Sequence, residues 1–182
     1  MTRIPLSHKL ETERLILRSA SHEDIDLVWE ASRHEGFTDG MAWDPPETKN
    51  ELVEIANRNI ANWCNGTSYT FTVIRVSDGI TIGRVGFRQL DNENKIWNIG
   101  FWVIPEYWGN GYAVEASKAV IEFGFNALNV SKIVTAHATW NTQSKRVIEK
   151  LKFMKTGLNR CGFYKHGNPV EEIEYEITAN RL

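Results

Sequence analysis

The fold is decided by one stretch, which runs Ile99-Gly100-Phe101-Trp102-Val103-Ile104-Pro105-Glu106-Tyr107-Trp108-Gly109-Asn110-Gly111-Tyr112-Ala113. Its apolar first half predicts a strand that ends at Pro105, because proline cannot donate into a sheet ladder. Two glycines then lead into a helix predicted from Tyr112. Such a turn directs backbone N–H groups and the positive helix end at one point, which suits phosphate. The glycines also suit a simple left-handed turn without a ligand.

Two common nucleotide sites fail at this turn. A Walker A loop needs Lys and then Ser or Thr after its last glycine, but Gly111 is followed by Tyr112. A dinucleotide fingerprint needs a small residue at position 114 and an acidic residue about 20 positions further on. The chain has Val114 instead, and the stretch 136–138 carries no carboxylate. We therefore exclude a P-loop and disfavour a dinucleotide dehydrogenase.

The patterns around this stretch predict the element order β-α-α-β-β-β-α-β-α-β-β, a mixed sheet flanked by helices. Strands are predicted at 15–17, 69–74, 80–87, 96–104, 132–138, 153–160 and 170–177, and helices after Ser21, from Thr48 to Asn65, at 112–128 and at 141–151. Ser21 with Asp24 and Thr48 with Glu51 have the spacing of capping boxes. The stretch 36–46 is predicted as a loop, because two glycines and two prolines interrupt it.

Length and composition narrow the class of protein. The 182 residues suggest one domain over 1–182, and the net charge of −2 argues against nucleic acid as a partner. Two cysteines form neither a disulfide framework nor a zinc motif, so we expect no metal and a reducing, cytoplasmic location. The longest apolar runs are too short to span a membrane, and the N-terminus lacks a signal-peptide core.

The run from Tyr107 to Ala116 closely resembles the acetyl-CoA pyrophosphate loop of the GNAT N-acetyltransferases. The wider segment from Ile99 is similar to the branch that contains the ribosomal-protein N-terminal acetyltransferases. Three further stretches agree with this branch and appear in the same order. They are the opening strand Glu13–Arg18, the Asn-x-x-Ser helix start within Asn141–Leu151, and a closing hairpin with Gly167, Asn168, Glu171, Glu172 and Tyr175. The resemblance covers nearly the whole chain.

This resemblance implies a fold and a cofactor. The GNAT fold is an α/β (α+β) fold whose mixed, mostly antiparallel sheet has about seven strands, splayed between the fourth and the fifth, with about four helices. Acetyl-CoA is the implied cofactor, with its pantetheine beside the strand backbone at Phe101, Trp102 and Val103. The implied pyrophosphate loop consists of Trp108, Gly109, Asn110, Gly111, Tyr112 and Ala113. Asn141 would bond the pantetheine chain and Ser144 would lie near the thiol, although both residue types also cap helices.

The implied reaction is direct acetyl transfer from acetyl-CoA to a primary amine. Ser144, or Tyr164 as an alternative, could protonate the leaving sulfur. Asn98 stands where many members of the branch have a glutamate, and an amide cannot act as a base. His137 could replace it, or could be an ordinary strand histidine. Without a carboxylate base, a weakly basic amine such as a peptide or protein N-terminus is favoured as the acceptor.

The acceptor itself stays open at this point. The resemblance places Phe37, Trp43, Trp63, Phe163 and Tyr164 in the region that selects the acceptor, but these aromatic residues could equally belong to the core or to a dimer face. A small-molecule amine is an alternative to a protein N-terminus, and we expect no nucleic-acid or membrane partner. The chain could be a monomer or a homodimer. The rival hypothesis is a catalytically degenerate GNAT domain that binds acyl-CoA as a sensor or partner-binding module.

Overall fold

The computed structural model describes residues 4–181, and one eight-stranded sheet lies at its centre. The strands are β1 Lys9–Glu11, β2 Leu15–Ser19, β3 Ser68–Arg75, β4 Thr81–Asp91, β5 Ile96–Val103, β6 Lys132–Ala138, β7 Met154–Lys165 and β8 Asn168–Thr178. Their order is β1-β2-β3-β4-β5-β6-β8-β7. Among the described residues only β5 and β6 pair in parallel, so the predicted mixed, mostly antiparallel sheet is confirmed. Expectations that concern residues 1–3 and 182 lie outside the described residues.

The sheet has one strand more than predicted. The additional strand is β1, whose Leu10 pairs with Leu17 of β2. A three-residue segment with one apolar side chain shows no alternation, so the sequence pattern cannot reveal it. The late hairpin is also longer than predicted, since β7 continues to Lys165.

Within residues 4–181 four α-helices flank the sheet, as expected, and they are α1 Ile25–Ala31, α2 Lys49–Asn65, α3 Tyr112–Ala127 and α4 Thr142–Lys150. Both predicted capping boxes are present, although that of Ser21 caps a single 3-10 turn directly before α1. Residues 36–46 contain neither a helix nor a strand. No helix within residues 4–181 has the length and apolarity needed to cross a membrane.

The sheet opens between β5 and β6. These strands pair only from Ile96 to Asn98 and from Lys132 to Val134. One further link follows, in which the Thr135 hydroxyl donates to the Ile99 carbonyl at 2.9 Å. Beyond it the strands diverge, which confirms the splay implied by the family resemblance. The expected fourth and fifth strands are β5 and β6 here, because β1 adds one strand at the start.

One face of the sheet packs against α3. Phe87, Ile99 and Ile133 are fully buried there. Gly124 allows α3 to approach closely, because a Cβ at this position would lie 2.6 Å from the Phe87 ring and 3.4 Å from Ile133. Trp63 is also a core residue, since its ring contacts Phe71 and is almost fully buried. It therefore cannot line an acceptor site.

The opposite face carries a buried polar network around Asp24, which is 1% exposed. Arg18 makes two hydrogen bonds to its carboxylate, at 2.7 and 3.0 Å, and the Thr72 hydroxyl donates at 2.7 Å. Burial alone would raise the pKa of Asp24, but these hydrogen bonds outweigh it and hold that pKa below its usual value. Burial also lowers the pKa of Arg84, 3.7 Å from the same carboxylate, to about 10. The network fixes the start of α1 on the sheet.

Candidate active site

A cleft of about 500 Å³ opens where β5 and β6 separate. Four segments form its walls: part of the loop before α2, the end of β5, the turn into α3, and α4 with the residues before it. Lining residues include Gly36, Phe37, Gly40, Met41, Phe101, Trp102, Val103, Tyr107, Trp108, Gly109, Gly111, Tyr112, Ala113, Val114, Trp140, Asn141, Gln143, Ser144, Arg146, Val147 and Lys150. The sequence-predicted cofactor residues meet here with one exception, Asn110.

The backbone of β5 presents alternate residues to the cleft. The Ile99 carbonyl points towards β6, because it accepts from Thr135, whereas the Ile104 N–H donates to Ile82 on the β4 side. Backbone polar groups alternate in direction along a strand, so Phe101 and Val103 also direct theirs towards the gap. Trp102 directs its backbone towards β4. Of the three residues predicted to lie beside pantetheine, Phe101 and Val103 therefore offer backbone groups to the cleft, whereas Trp102 does not.

Trp108 connects the turn to the end of β5. Its indole N–H donates to the Val103 carbonyl at 2.6 Å. Because this hydrogen bond occupies the Val103 carbonyl, the Val103 N–H is the backbone group of Val103 that can bind a ligand in the gap. Trp102 packs its side chain edge-on against Phe37, with ring centroids 5.6 Å apart.

The turn into α3 is a concave donor site. Gly109 and Gly111 have φ values of 80° and 81°, in the left-handed region that favours glycine. The first hydrogen bond across the helix start runs from the Glu115 N–H to the Gly111 carbonyl, at 3.0 Å. The N–H groups of Tyr112 and Ala113 precede it and lack helical acceptors. Several donors and the positive helix end therefore fit a phosphate group.

Arg14 holds the turn from behind. Its guanidinium donates to the Asn110 carbonyl at 3.1 Å and to the Glu115 carboxylate at 2.7 Å, and it lies over the Tyr112 ring. In a trans peptide the carbonyl and the following N–H point in opposite directions. Fixing the Asn110 carbonyl towards Arg14 therefore directs the Gly111 N–H towards the cleft. The Asn110 side chain closes the turn by donating to the Trp108 carbonyl at 3.1 Å.

Glu115 anchors this support. It accepts from the Arg14 backbone and side chain, and from the Thr12 hydroxyl at 2.6 Å. Burial alone would raise the pKa of Glu115, but the hydrogen bonds from Thr12 and Arg14 outweigh burial and keep that pKa below its usual value. Its carboxylate therefore stays charged at neutral pH and keeps Arg14 in place.

Asn141 and Ser144 lie together at the start of α4. Asn141 is the N-cap residue, and its Oδ1 accepts from the Ser144 N–H at 3.0 Å. Both residues also line the cleft. The capping alternative is therefore observed, and it leaves the Asn141 Nδ2 and the Ser144 hydroxyl for other contacts.

Three predicted catalytic residues are not among those that line the cleft. Asn98 donates to the Val134 carbonyl at 3.2 Å, at the last pair of residues that joins β5 to β6. Tyr164 lies on β7 and is 64% exposed. Both positions follow from the strand register, which directs these side chains elsewhere.

His137 is buried on β6 and has both ring nitrogens occupied. It is 2% exposed, with Nδ1 2.8 Å from the Ala138 carbonyl and Nε2 3.1 Å from the Tyr175 hydroxyl. A carbonyl only accepts, so Nδ1 carries a proton and a neutral ring accepts from Tyr175. This is the arrangement of a satisfied strand histidine.

Sequence reasoning missed several lining residues. Met41 comes from the irregular loop and Trp140 from the turn before α4, so neither belongs to a periodic pattern. Gln143, Arg146 and Lys150 lie three and four residues apart on one side of α4, and this helical spacing could have identified them.

A second depression, of about 570 Å³, lies behind the turn and is more open. Its carboxylates, Glu11, Glu13, Glu115 and Glu122, outnumber its cations, Arg14, Lys118 and Lys150. This charge balance makes it a poorer site for an anionic ligand than the cleft. Residues 4–181 contain no group of three or more His, Cys, Asp or Glu side chains placed to hold a metal ion.

Comparison with known proteins identifies the class. Residues 14–154 match the family model described as "Acetyltransferase (GNAT) domain". The chain belongs to this family and is an acetyl-CoA-dependent acetyltransferase. It is similar to an uncharacterized N-acetyltransferase, YoaA, of Bacillus subtilis, with 29% identity over 94% of this chain and 97% of the relative.

Two further relatives differ in the acceptor that their names state. A spermidine N(1)-acetyltransferase of Vibrio cholerae is 22% identical over 88% of this chain and 84% of its own. The structure of RimL, a ribosomal L7/L12 alpha-N-protein acetyltransferase in complex with coenzyme A, superposes with a TM-score of 0.86. It is 16% identical and covers 94% of this chain and 98% of its own, so it supports the fold alone.

Proposed function

We propose that this acetyltransferase binds acetyl-CoA in the cleft between β5 and β6 and acetylates the α-amine of a peptide or protein N-terminus. The observation that carries the proposal is the convergence of the turn donors, the Phe101 and Val103 backbone and Ser144 on one cleft. We further propose a single-domain cytoplasmic enzyme. The free, exposed thiols of Cys64 and Cys161 support a reducing compartment.

Each wall of the cleft then has a task in holding the donor. Acetyl-CoA supplies the thioester, whose acetyl group is the one transferred. The backbone groups of Phe101 hold the pantetheine amides, together with the Asn141 Nδ2, and the Val103 N–H is left for the thioester. The N–H groups of Gly111, Tyr112 and Ala113 bind the pyrophosphate, with the positive end of α3 behind them.

Transfer requires three changes at the reacting atoms. The amine nitrogen attacks the thioester carbonyl carbon, and the Val103 N–H stabilises the negative charge that develops on the oxygen. The carbon–sulfur bond then breaks, and the Ser144 hydroxyl donates a proton to the departing thiolate. The proton lost by the amine passes to water and returns through water to Ser144, so the products are the amide and the coenzyme A thiol.

The proposed acceptor is supported by Asn98, which stands where the family resemblance implies a glutamate base. This amide cannot take a proton, and it is held by Val134 at the fork. An α-amine with a pKa of about 7.8 is roughly 15% neutral at pH 7, whereas a lysine amine with a pKa of about 10.4 is less than about 0.1% neutral. The difference is about 3.5 kcal/mol in favour of the α-amine. An enzyme without a carboxylate base therefore favours the weaker base.

Three acceptors test this proposal directly. They are a short lysine-free peptide with a free N-terminus, the same peptide with a blocked N-terminus and one lysine, and spermidine. At pH 7 we expect the first to be acetylated about three hundredfold faster, measured by thiol release and by the mass of the product. Faster acetylation of the lysine peptide or of spermidine would refute the α-amine assignment.

The rival hypothesis of an acyl-CoA-binding module without turnover is disfavoured by membership of the acetyltransferase family. It would require tight acetyl-CoA binding without acetylation of any of the three acceptors.

A further inference from the structure

The loop between α1 and α2 covers one side of the cleft. We call residues 36–46 the cover segment. Phe37 packs on Trp102 of β5, and Gly40 lies against the start of α4, where a Cβ would be 2.6 Å from the Asn141 Nδ2. The cover segment therefore bridges the two sides of the fork and supplies Phe37, Gly40 and Met41 to the wall.

Lys165, at the end of β7, holds the middle of this segment. Its ammonium is 2.8 Å from the Trp43 carbonyl, 2.8 Å from the Asp44 carboxylate and 3.5 Å from the Met41 carbonyl. Lys165 is only 7% exposed, which is rare for a lysine. An ammonium has three donors, and here all three have acceptors on the cover segment.

The pairing with Lys165 also changes Asp44. The hydrogen bond and the charge of Lys165 hold the pKa of Asp44 below its usual value, so the carboxylate is charged at neutral pH. Burying an ammonium is costly unless it is paired. The buried Lys165 ammonium is therefore stable only while the cover segment stays in place. The end of the segment has a separate contact, in which Arg33 donates to the Pro46 carbonyl.

We propose that Lys165 is a positioning residue for acetyl transfer, which holds the cover segment across the cleft so that the acceptor amine, rather than water, meets the thioester. This inference rests on the proposed function. Lys165 does not touch the reacting atoms; it acts through Phe37, Gly40 and Met41. When the segment is released, water attacks the same carbonyl carbon, and acetate and free coenzyme A are the products.

The test compares Lys165→Met with Lys132→Met. Lys132 is a matched control, because it also lies on the sheet and pairs with a carboxylate, that of Glu176 at 2.9 Å. Hydrogen–deuterium exchange is measured at the amides of Phe37, Asp39 and Met41, which are hydrogen-bonded within the loop. We expect about tenfold faster exchange in Lys165→Met alone, because buried hydrogen bonds to a charged group are lost.

A second readout is the ratio of acetyl-CoA hydrolysis to peptide acetylation. We expect this ratio to rise several-fold in Lys165→Met, with the affinity for acetyl-CoA unchanged. Exchange in the cover segment equal to wild type, or an unchanged ratio despite faster exchange, would overturn the inference.

Two provisions keep the test decisive. If Lys165→Met does not fold, Asp44→Asn replaces it, because Asp44 is exposed and its substitution should not prevent folding. Loss of its charge should speed amide exchange in the cover segment by about threefold. Unchanged exchange in folded Asp44→Asn would then count against the inference. If wild type acetylates no amine, the proposed function fails, whereas the exchange measurement still shows whether Lys165 holds the segment.

Discussion

The two sides of the cleft are built in different ways. The donor side uses β5, the turn into α3 and the start of α4, and most of its polar contacts come from backbone groups in one continuous stretch. The acceptor side uses the cover segment, which is held through side chains such as Lys165 of the β7–β8 hairpin, more than a hundred residues further along the chain. A continuous motif can be recognised in a sequence, whereas a site assembled from distant side chains cannot. Four predictions test this contrast.

The largest effect is expected at the reacting atoms of the donor side. Ser144→Ala should lower kcat by about a hundredfold, because it removes the proton donor for the departing sulfur. The dissociation constant of acetyl-CoA, measured by calorimetry, should stay the same. Thr142→Ala, two residues earlier on α4 and outside the cleft lining, should leave both values unchanged. A Ser144→Ala enzyme with the kcat of wild type would show that Ser144 is not the proton donor.

The next largest effect is expected on acetyl-CoA affinity when the turn into α3 is altered. Gly111→Ala places a Cβ at φ 81°, which costs about 1–2 kcal/mol and shifts the donors. We expect acetyl-CoA to bind about tenfold more weakly. Gly79→Ala is the matched control, since Gly79 has φ 73° in the hairpin between β3 and β4 and no atom near its Cβ position. Equal loss of affinity in both variants would mean that the effect is general instability.

Arg14 should have a smaller effect on the same affinity. Arg14→Gln removes the hydrogen bond that fixes the Asn110 carbonyl, and we expect about a fivefold rise in the dissociation constant. Arg75→Gln is the control, because Arg75 also lies over a tyrosine ring, that of Tyr107, and pairs with Asp78. If acetyl-CoA affinity falls equally in both variants, the cause is the loss of arginine stacking on the tyrosine rings and not the loss of the hydrogen bond to the Asn110 carbonyl.

The smallest effect concerns the pH dependence of stability through Glu115. Its pKa is below the usual value in the folded protein. Its stabilising contribution is therefore complete above the unfolded pKa of about 4.3 and is lost as the pH falls through the lower folded pKa. The free energy of unfolding of wild type should exceed that of Glu115→Gln at pH 7, and the difference should shrink below about pH 4 in denaturant titrations. A difference that grows on acidification would contradict the assigned sign.

The sequence predicted the donor side well because local rules determine it. Pro105 ends β5, two glycines form the turn, and α3 begins at Tyr112 as expected. The alternation along β5 came only from the structure, since the strand register decides which backbone groups face the gap. The surroundings of His137 also required the structure, because its partner Tyr175 lies on another strand.

The acceptor side shows where prediction from sequence stops. Phe37 lines the cleft, whereas Trp63 of the same group belongs to the core. Lys165 gave no signal at all, because a lysine at the end of a strand is usually solvated. Its burial depends on carbonyl groups that come into place only when the cover segment folds over the hairpin.

The central claim is that acetyl-CoA lies along β5 and ends on the turn into α3. The most direct test is an amide chemical-shift map of the ¹⁵N-labelled protein during titration with acetyl-CoA. We predict large shifts at Gly111, Tyr112 and Ala113, with Phe101 and Val103 shifting more than Trp102 between them. Shifts concentrated instead around residues 11–14 and 118–122, at the second depression, would contradict the account.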